Sequence, residues 1–236
     1  VDIKVITRFD DYLICIVDKV LKPNKFRIKP KCKYYLSCTG CQFQHIDYEE
    51  QLNIKRKFVI EELGSVKTFS EEKIGHTFPS INKYEYRNHA RFSVSKTDKY
   101  KGNIGFINRW NRKLIPITKC EIMSMKINSI LHHLKNKLPG YSQFSVRVGV
   151  NSDSYLIQPK IPELGNIKTG HDHYHEKING IDQKISSPSF FQVNTTQAEN
   201  LGKIVKDLLE LRGSEVLIDA FSGVGTFAVL LSQYVK

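Results

Sequence analysis

Read for its alternation of apolar and polar positions, the chain opens on two short strands. Asp2-Ile-Lys-Val-Ile-Thr7 and Tyr12-Leu-Ile-Cys-Ile-Val17 flank the polar turn Asp10-Asp11, the pattern of a hairpin. Cys15 falls inside the second run and reads as a packing residue. The period then changes. Tyr48, Leu52, Val59 and Leu63 recur at helical spacing, with Asp47 ahead of the run and Gly64 behind it, which predicts a helix over 47–63. Lys55-Arg56-Lys57 on that helix reads as a solvated face. Residues 65–83 are polar and turn-rich, in the manner of a linker.

Strand patterns dominate the middle of the chain. Tyr84–Val94 alternates so that Arg87, His89 and Arg91 share one face; Asn103–Arg109 and Lys113–Lys119 follow, joined by the basic aromatic turn Trp110-Asn-Arg-Lys113. Ile127, Ile130, Leu131, Leu134 and Leu138 predict a second helix, stopped by Pro139-Gly140. Phe144–Val150 and Ser154–Gln158 read as a hairpin, and His171-Asp-His-Tyr-His175 as an exposed hairpin tip rather than a metal site, for want of an acidic or cysteine partner at usual spacing.

The last quarter of the chain has a different grammar. Asn194 is placed to cap a helix carrying Leu201, Ile204, Val205, Leu208 and Leu209 on one side. Glu215-Val-Leu-Ile-Asp219 reads as a short strand for a parallel sheet buried on both faces. A turn containing Gly223 and Gly225 leads from it into the helical Phe227–Leu231. Strand, acidic residue, glycine-rich loop and helix form the first unit of a Rossmann-like fold, and the glycines let backbone approach a ligand closely.

Cysteine spacing changes the picture most. Cys32, Cys38 and Cys41 are spaced C-x5-C-x2-C, with Gly40 free to take a positive φ before the last thiol. A tetrahedral site wants four ligands, and Cys120 is a candidate fourth. Zinc sites built of four cysteines usually use two short C-x2-4-C pairs; a single short pair favours an iron–sulfur cluster over zinc. Five cysteines, an odd number and clustered, argue against a disulfide framework. Composition then names a partner. Lys and Arg total 36 against 24 Asp and Glu, a net charge of +12, which favours a polyanion. No apolar run has the length of a membrane span. A cytoplasmic, monomeric RNA-binding protein is expected, with no membrane association. Arg87, Arg91, Arg109 and Arg112 are candidate RNA contacts, because guanidinium and aromatic groups together suit single-stranded RNA.

Four blocks together resemble the RNA 5-methyluridine (uracil-5-)-methyltransferases of the cluster-bearing type. They are Cys38-Thr-Gly-Cys-Gln-Phe-Gln-His45 with Tyr48-Glu-Glu-Gln51, then Tyr86-Arg-Asn-His-Ala-Arg-Phe92, Ser189-Phe-Phe-Gln-Val-Asn194 and Asp219-Ala-Phe-Ser-Gly-Val-Gly-Thr226. The resemblance implies a 4Fe-4S cluster on Cys32, Cys38, Cys41 and Cys120, and S-adenosyl-L-methionine near Gln192, Asp219, Phe221, Gly223, Gly225 and Thr226. Relatives often carry Tyr and Asn where this chain has Phe221 and Thr226. It further implies an α+β cluster-binding central domain over 31–188 and the start of an α/β Rossmann-like methyltransferase domain over 189–236. Residues 1–30 would be the remnant of an OB-like β-barrel, and helix 47–63 would pack on the methyltransferase domain. The chain then reads as a fragment whose catalytic nucleophile and base lie beyond residue 236. The implied reaction is methylation of carbon 5 of a uridine in structured RNA, ribosomal RNA being favoured over transfer RNA. A metal-stapled RNA-binding module without transferase activity is the rival reading.

Overall fold

The computed structural model describes residues 1–66, 68–96, 102–138 and 140–236, so Pro139 of the expected helix stop lies outside the described residues. The chain divides into two compact units, one formed by 1–31 with 42–78 and the other by 32–41 with 79–236.

In the first unit β1 (Asp2–Arg8) pairs antiparallel with β2 (Leu13–Lys19), and α1 (Tyr48–Leu63) follows. The expected hairpin is there, but it carries no core. Ile3, Val5, Ile6, Leu13, Ile16 and Val17 are exposed and Cys15 is only half-buried. A two-stranded ribbon cannot bury both its faces by itself, so the expected packing role of Cys15 is not met. Helix α1 begins at Asp47, whose carboxylate accepts from the Glu49 amide at 3.1 Å. Leu52 is its one buried residue; Phe58, Val59 and Leu63 are exposed. Arg56 is not part of a solvated basic face. It donates to the Ile74 carbonyl at 3.0 Å and pairs with Glu71 at 3.2 Å.

The second unit is built on a five-stranded antiparallel sheet ordered β5-β4-β3-β6-β7, with β3 His89–Val94, β4 Ile104–Ile107, β5 Leu114–Pro116, β6 Gln143–Val148 and β7 Tyr155–Gln158. Alternation decides its faces. Ala90, Phe92 and Val94 of β3 and Phe144, Val146 and Val148 of β6 are buried, and they pack with Ile127, Leu131 and Leu134 of α2 (Met125–Leu134). Ser124 caps α2 by accepting from the Ile127 amide at 3.3 Å.

A second hairpin, β8 (His173–Ile178) with β9 (Ile181–Ser186), overturns the expectation of an exposed tip. Tyr174, Glu176 and Ile178 are fully buried, leaving His173 and His175 on the opposite, half-buried side. His175 does find an acid, bonding through Nδ1 to Asp182 Oδ2 at 2.7 Å across the strand pair. Helix α3 (Thr195–Leu209) starts where expected, Asn194 accepting from the Gln197 amide at 3.1 Å. Its buried residues are Thr195, Ala198 and Gly202, while Leu201, Leu208 and Leu209 are exposed. Small residues explain this: a Cβ on Gly202 would stand 2.8 Å from Leu230 Cδ1, so α3 lies against α4 (Thr226–Leu231) through its small side. The expected strand 215–219 does not form. Val216 and Ile218 are 80 % and 84 % exposed, and a strand has no hydrogen bonds of its own until a neighbour supplies them.

Candidate metal centre and nucleic-acid interface

The cysteine loop folds with the sheet unit. The Cys38 amide donates to the Tyr34 carbonyl at 2.7 Å and the Tyr35 amide to the Cys32 carbonyl at 3.1 Å, closing two tight turns. The positive φ of this loop belongs to Leu36, at 71°, rather than to Gly40. A Cβ at Gly40 would sit 3.5 Å from Cys38 Sγ, an ordinary contact, so the expectation for Gly40 is replaced by a strained turn at Leu36, earlier in the loop. Tyr34 stitches the loop to the segment after β5: its hydroxyl lies 3.1 Å from Thr118 Oγ1 and accepts from the Thr118 amide at 3.0 Å.

Cys120 lies further along that same segment. Its amide donates to Asn128 Oδ1 at 2.9 Å, and Asn128 Nδ2 returns to the Cys120 carbonyl at 3.1 Å, so α2 fixes the residue from behind. Burial pushes the Cys120 thiol up to about 11; the amides of Ile122 and Met123 oppose this, and Cys41 and Cys32 push it further up. Cys38 is raised chiefly by burial as well, with Cys41 and Cys32 adding to it. All four cysteines are half-buried. Among the described residues, no group of three or more His, Cys, Asp or Glu side chains could hold a metal ion.

The basic strand is half structural. Arg87 is half-buried, donating through Nε to the His89 carbonyl at 3.2 Å, and its backbone bridges both Met123 and Asn194. Arg91 is exposed. His89 lies opposite Arg147 in the β3–β6 register. Burial, then the guanidinium groups of Arg147, Arg87 and Arg91, holds its imidazole down at about 4. Arg147 was not singled out from sequence; its place in alternating β6, Gln143-Phe-Ser-Val-Arg-Val148, was the available signal. Arg109 and Arg112 are exposed at the β4–β5 turn.

Asn88 does the joining between blocks. It is buried, and its Nδ2 donates to the Gln192 carbonyl at 2.9 Å and to Thr195 Oγ1 at 3.0 Å. Thr195 donates on to Glu176 at 2.8 Å, and that buried carboxylate also accepts from the amides of Val150 and Asn151. Gln192 is thus held through its backbone at the start of α3. The remaining cofactor candidates lie around α4. Asp219 Oδ2 accepts from the Ala228 amide at 3.2 Å. Phe221, Gly223 and Gly225 have positive φ of 66°, 59° and 73°. Phe221 is wholly exposed and Thr226 is buried. A Cβ at Gly223 would meet open space.

No family model matches the chain. Similarity to individual proteins is extensive. An uncharacterised RNA methyltransferase of Clostridium tetani is 28% identical over 291 residues, spanning 100% of this chain and 62% of the relative. One from Aquifex aeolicus is 28% identical, spanning 99% and 61%, and one from Prochlorococcus marinus 25% identical, spanning 94% and 66%. Along nearly its whole length the chain is similar to RNA methyltransferases. It spans about three-fifths of the length of these relatives, at 61% to 66%. Among solved structures, the Pyrococcus abyssi tRNA (uracil-54, C5)-methyltransferase in complex with S-adenosyl-L-homocysteine matches with a TM-score of 0.71 at 22% identity, over 98% of this chain and 62% of that one. That likeness shows a shared fold. Among the described residues no helix is long and apolar enough to cross a membrane.

Proposed function

We propose that the full-length protein methylates carbon 5 of a uridine in structured RNA, using S-adenosyl-L-methionine. The observation that carries this reading is similarity to RNA methyltransferases along nearly the whole chain. The fold shared with a tRNA uracil C5 methyltransferase supports it. Ribosomal RNA is preferred to transfer RNA as substrate. The working domains are 1–30 as a barrel remnant, 31–188 as the cluster-binding centre and 189–236 as the start of the methyltransferase domain.

In this reading Cys32, Cys38, Cys41 and Cys120 hold a 4Fe-4S cluster whose part is to organise the RNA-facing centre. Arg87, Arg91, Arg109 and Arg112 contact phosphates. Gln192, Asp219, Phe221, Gly223, Gly225 and Thr226 line the S-adenosyl-L-methionine site. The cofactor supplies an electrophilic methyl group when bound. Carbon 5 of uracil becomes nucleophilic once a cysteine thiolate adds at carbon 6, giving an enolate that takes the methyl group. A base then removes the carbon 5 proton, and the thiolate leaves. The target base must be unstacked to reach such a pocket. Neither thiolate nor base is assigned to this chain: four cysteines serve the metal, and Cys15 sits in the opening hairpin.

A metal-stapled RNA-binding module is the second reading, favoured for this chain alone by exposed Val216, Ile218 and Phe221 beside the glycine-rich loop. Methyl-labelled S-adenosylmethionine with ribosomal or transfer RNA pools tests both readings. Protein as long as its relatives should place label in 5-methyluridine, whereas this chain should not. Label on another nucleotide, or none from the longer protein, overturns the methyltransferase reading.

A further inference from the structure

Trp110 is the one tryptophan of the chain, and it is 68 % exposed at the turn between β4 and β5. Tryptophan is highly buried on average, so a large apolar face left in water marks a contact to be made. Arg109, Asn111, Arg112 and Lys113 surround it in sequence, all exposed.

The turn is held on every side by Asn108, which is buried. Asn108 Oδ1 accepts from the Trp110 amide at 2.8 Å and the Asn111 amide at 3.1 Å. Its own amide donates to the Lys113 carbonyl at 2.8 Å, and its carbonyl accepts from Arg112 at 3.0 Å. The remaining group reaches out of the hairpin: Asn108 Nδ2 donates to the Ser37 carbonyl at 2.8 Å. A second bond runs in parallel, from the Arg109 amide to Thr39 Oγ1 at 2.8 Å. Ser37 and Thr39 flank Cys38, so the tryptophan turn is bolted to the cysteine loop.

We propose that Trp110 is a stacking platform for an unpaired base of single-stranded RNA, held in its pose by the cysteine loop through Asn108 and Thr39. An exposed indole on a pinned turn among cations offers a π-face for a base and guanidinium groups for the flanking phosphates. Paired bases expose no such face, which distinguishes the occupant from duplex. The inference rests on the RNA-binding reading above.

Because no other tryptophan is present, emission of the intact chain excited at the red edge of the indole band, where tyrosine does not absorb, reports Trp110. Titration with a short single-stranded oligouridylate should quench it, with the midpoint that anisotropy of end-labelled RNA gives independently. Trp110→Ala should weaken binding roughly 5- to 150-fold, the range of one lost base stack. Trp110→Phe should retain part of the affinity. Thr39→Val should weaken binding severalfold in the wild-type background and add nothing to Trp110→Ala, as coupled residues do. Unchanged affinity of Trp110→Ala overturns the platform while leaving RNA binding intact, and a wild-type chain that binds no RNA removes both. Equal quenching by duplex overturns the choice of occupant, and quenching that grows with protein concentration before RNA is added puts a second copy there instead. Additive losses for Thr39 and Trp110 sink the role of the cysteine loop.

Discussion

The cysteine loop, residues 32–41, and the glycine-rich loop, residues 219–226, are both irregular, and they are held in opposite ways. The first has partners in two places of its own unit: Thr118 beyond β5, and Asn108 with the amide of Arg109 in the β4–β5 turn. Among the described residues the second is bonded within itself and to α4 alone, through Asp219 and the Gly225 carbonyl, and is preceded by a segment whose Val216 and Ile218 face water. The difference lies in where acceptors and donors are found. A loop fixed by side chains needs only those side chains, whereas a parallel strand needs another strand. The largest break of this contrast is Cys120→Ala. It should reduce bound iron and sulfide in anaerobically purified protein from stoichiometric to background, while Phe221→Ala changes neither. Retained iron in Cys120→Ala, or stoichiometric zinc without iron in the wild type, would refute the four-cysteine cluster.

The same contrast explains what could be read from sequence. Helix ends were legible because their signals are local: Asp47 and Asn194 cap the helices they precede. The sheet was legible wherever one face is buried, as with Ala90, Phe92 and Val94. β9 was not, because Gln183 occupies an inward position and is buried, so its apolar alternation is broken in Ile181-Asp-Gln-Lys-Ile-Ser186. The histidine segment misled for a related reason. Glu176 is buried and satisfied by backbone amides and Thr195, and a charged residue facing inward hides a strand from any apolar count. Helix α3 was placed correctly but faced wrongly, since Ala198 and Gly202 allow the close approach that its leucines would forbid. Of the candidate site, Cys120 was drawn to the loop cysteines as a charge neighbour, while Arg87 turned out to be partly occupied with backbone.

A milder effect comes from the polar face of the sheet. His89 is held at about 4 by burial and by Arg147, Arg87 and Arg91, below the ordinary value near 6.5. Above about pH 6.5 both folded and unfolded chains keep it neutral, so the stabilisation is complete there. As pH falls towards 4 the unfolded chain takes up a proton that the folded chain refuses, and stability is lost through that window. His89 is half-buried, so screening reduces the loss to about 1–2 kcal/mol. Urea unfolding at pH 7.5 and pH 4.5 should show this loss in the wild type and less of it in His89→Gln. Identical losses in both would assign the acid sensitivity to other groups.

The smallest expected effect tests the other side of the contrast. Ile218 is 84 % exposed and Ile157 of β7 is fully buried, although both are isoleucines in runs that read as apolar strands. Ile157→Thr should cost about 2–4 kcal/mol, combining lost methylene burial with a hydroxyl placed in a close-packed core. Ile218→Thr should stay within about 0.5 kcal/mol of wild type, because water already solvates that side chain and no ladder depends on it. Both are read from urea midpoints at neutral pH with unchanged m-values, which keep the comparison one of stability alone. A loss of about 2 kcal/mol or more in Ile218→Thr would mean that residues 215–219 are covered in solution. The glycine-rich loop would then be as firmly seated as the cysteine loop, and the two regions would no longer stand apart.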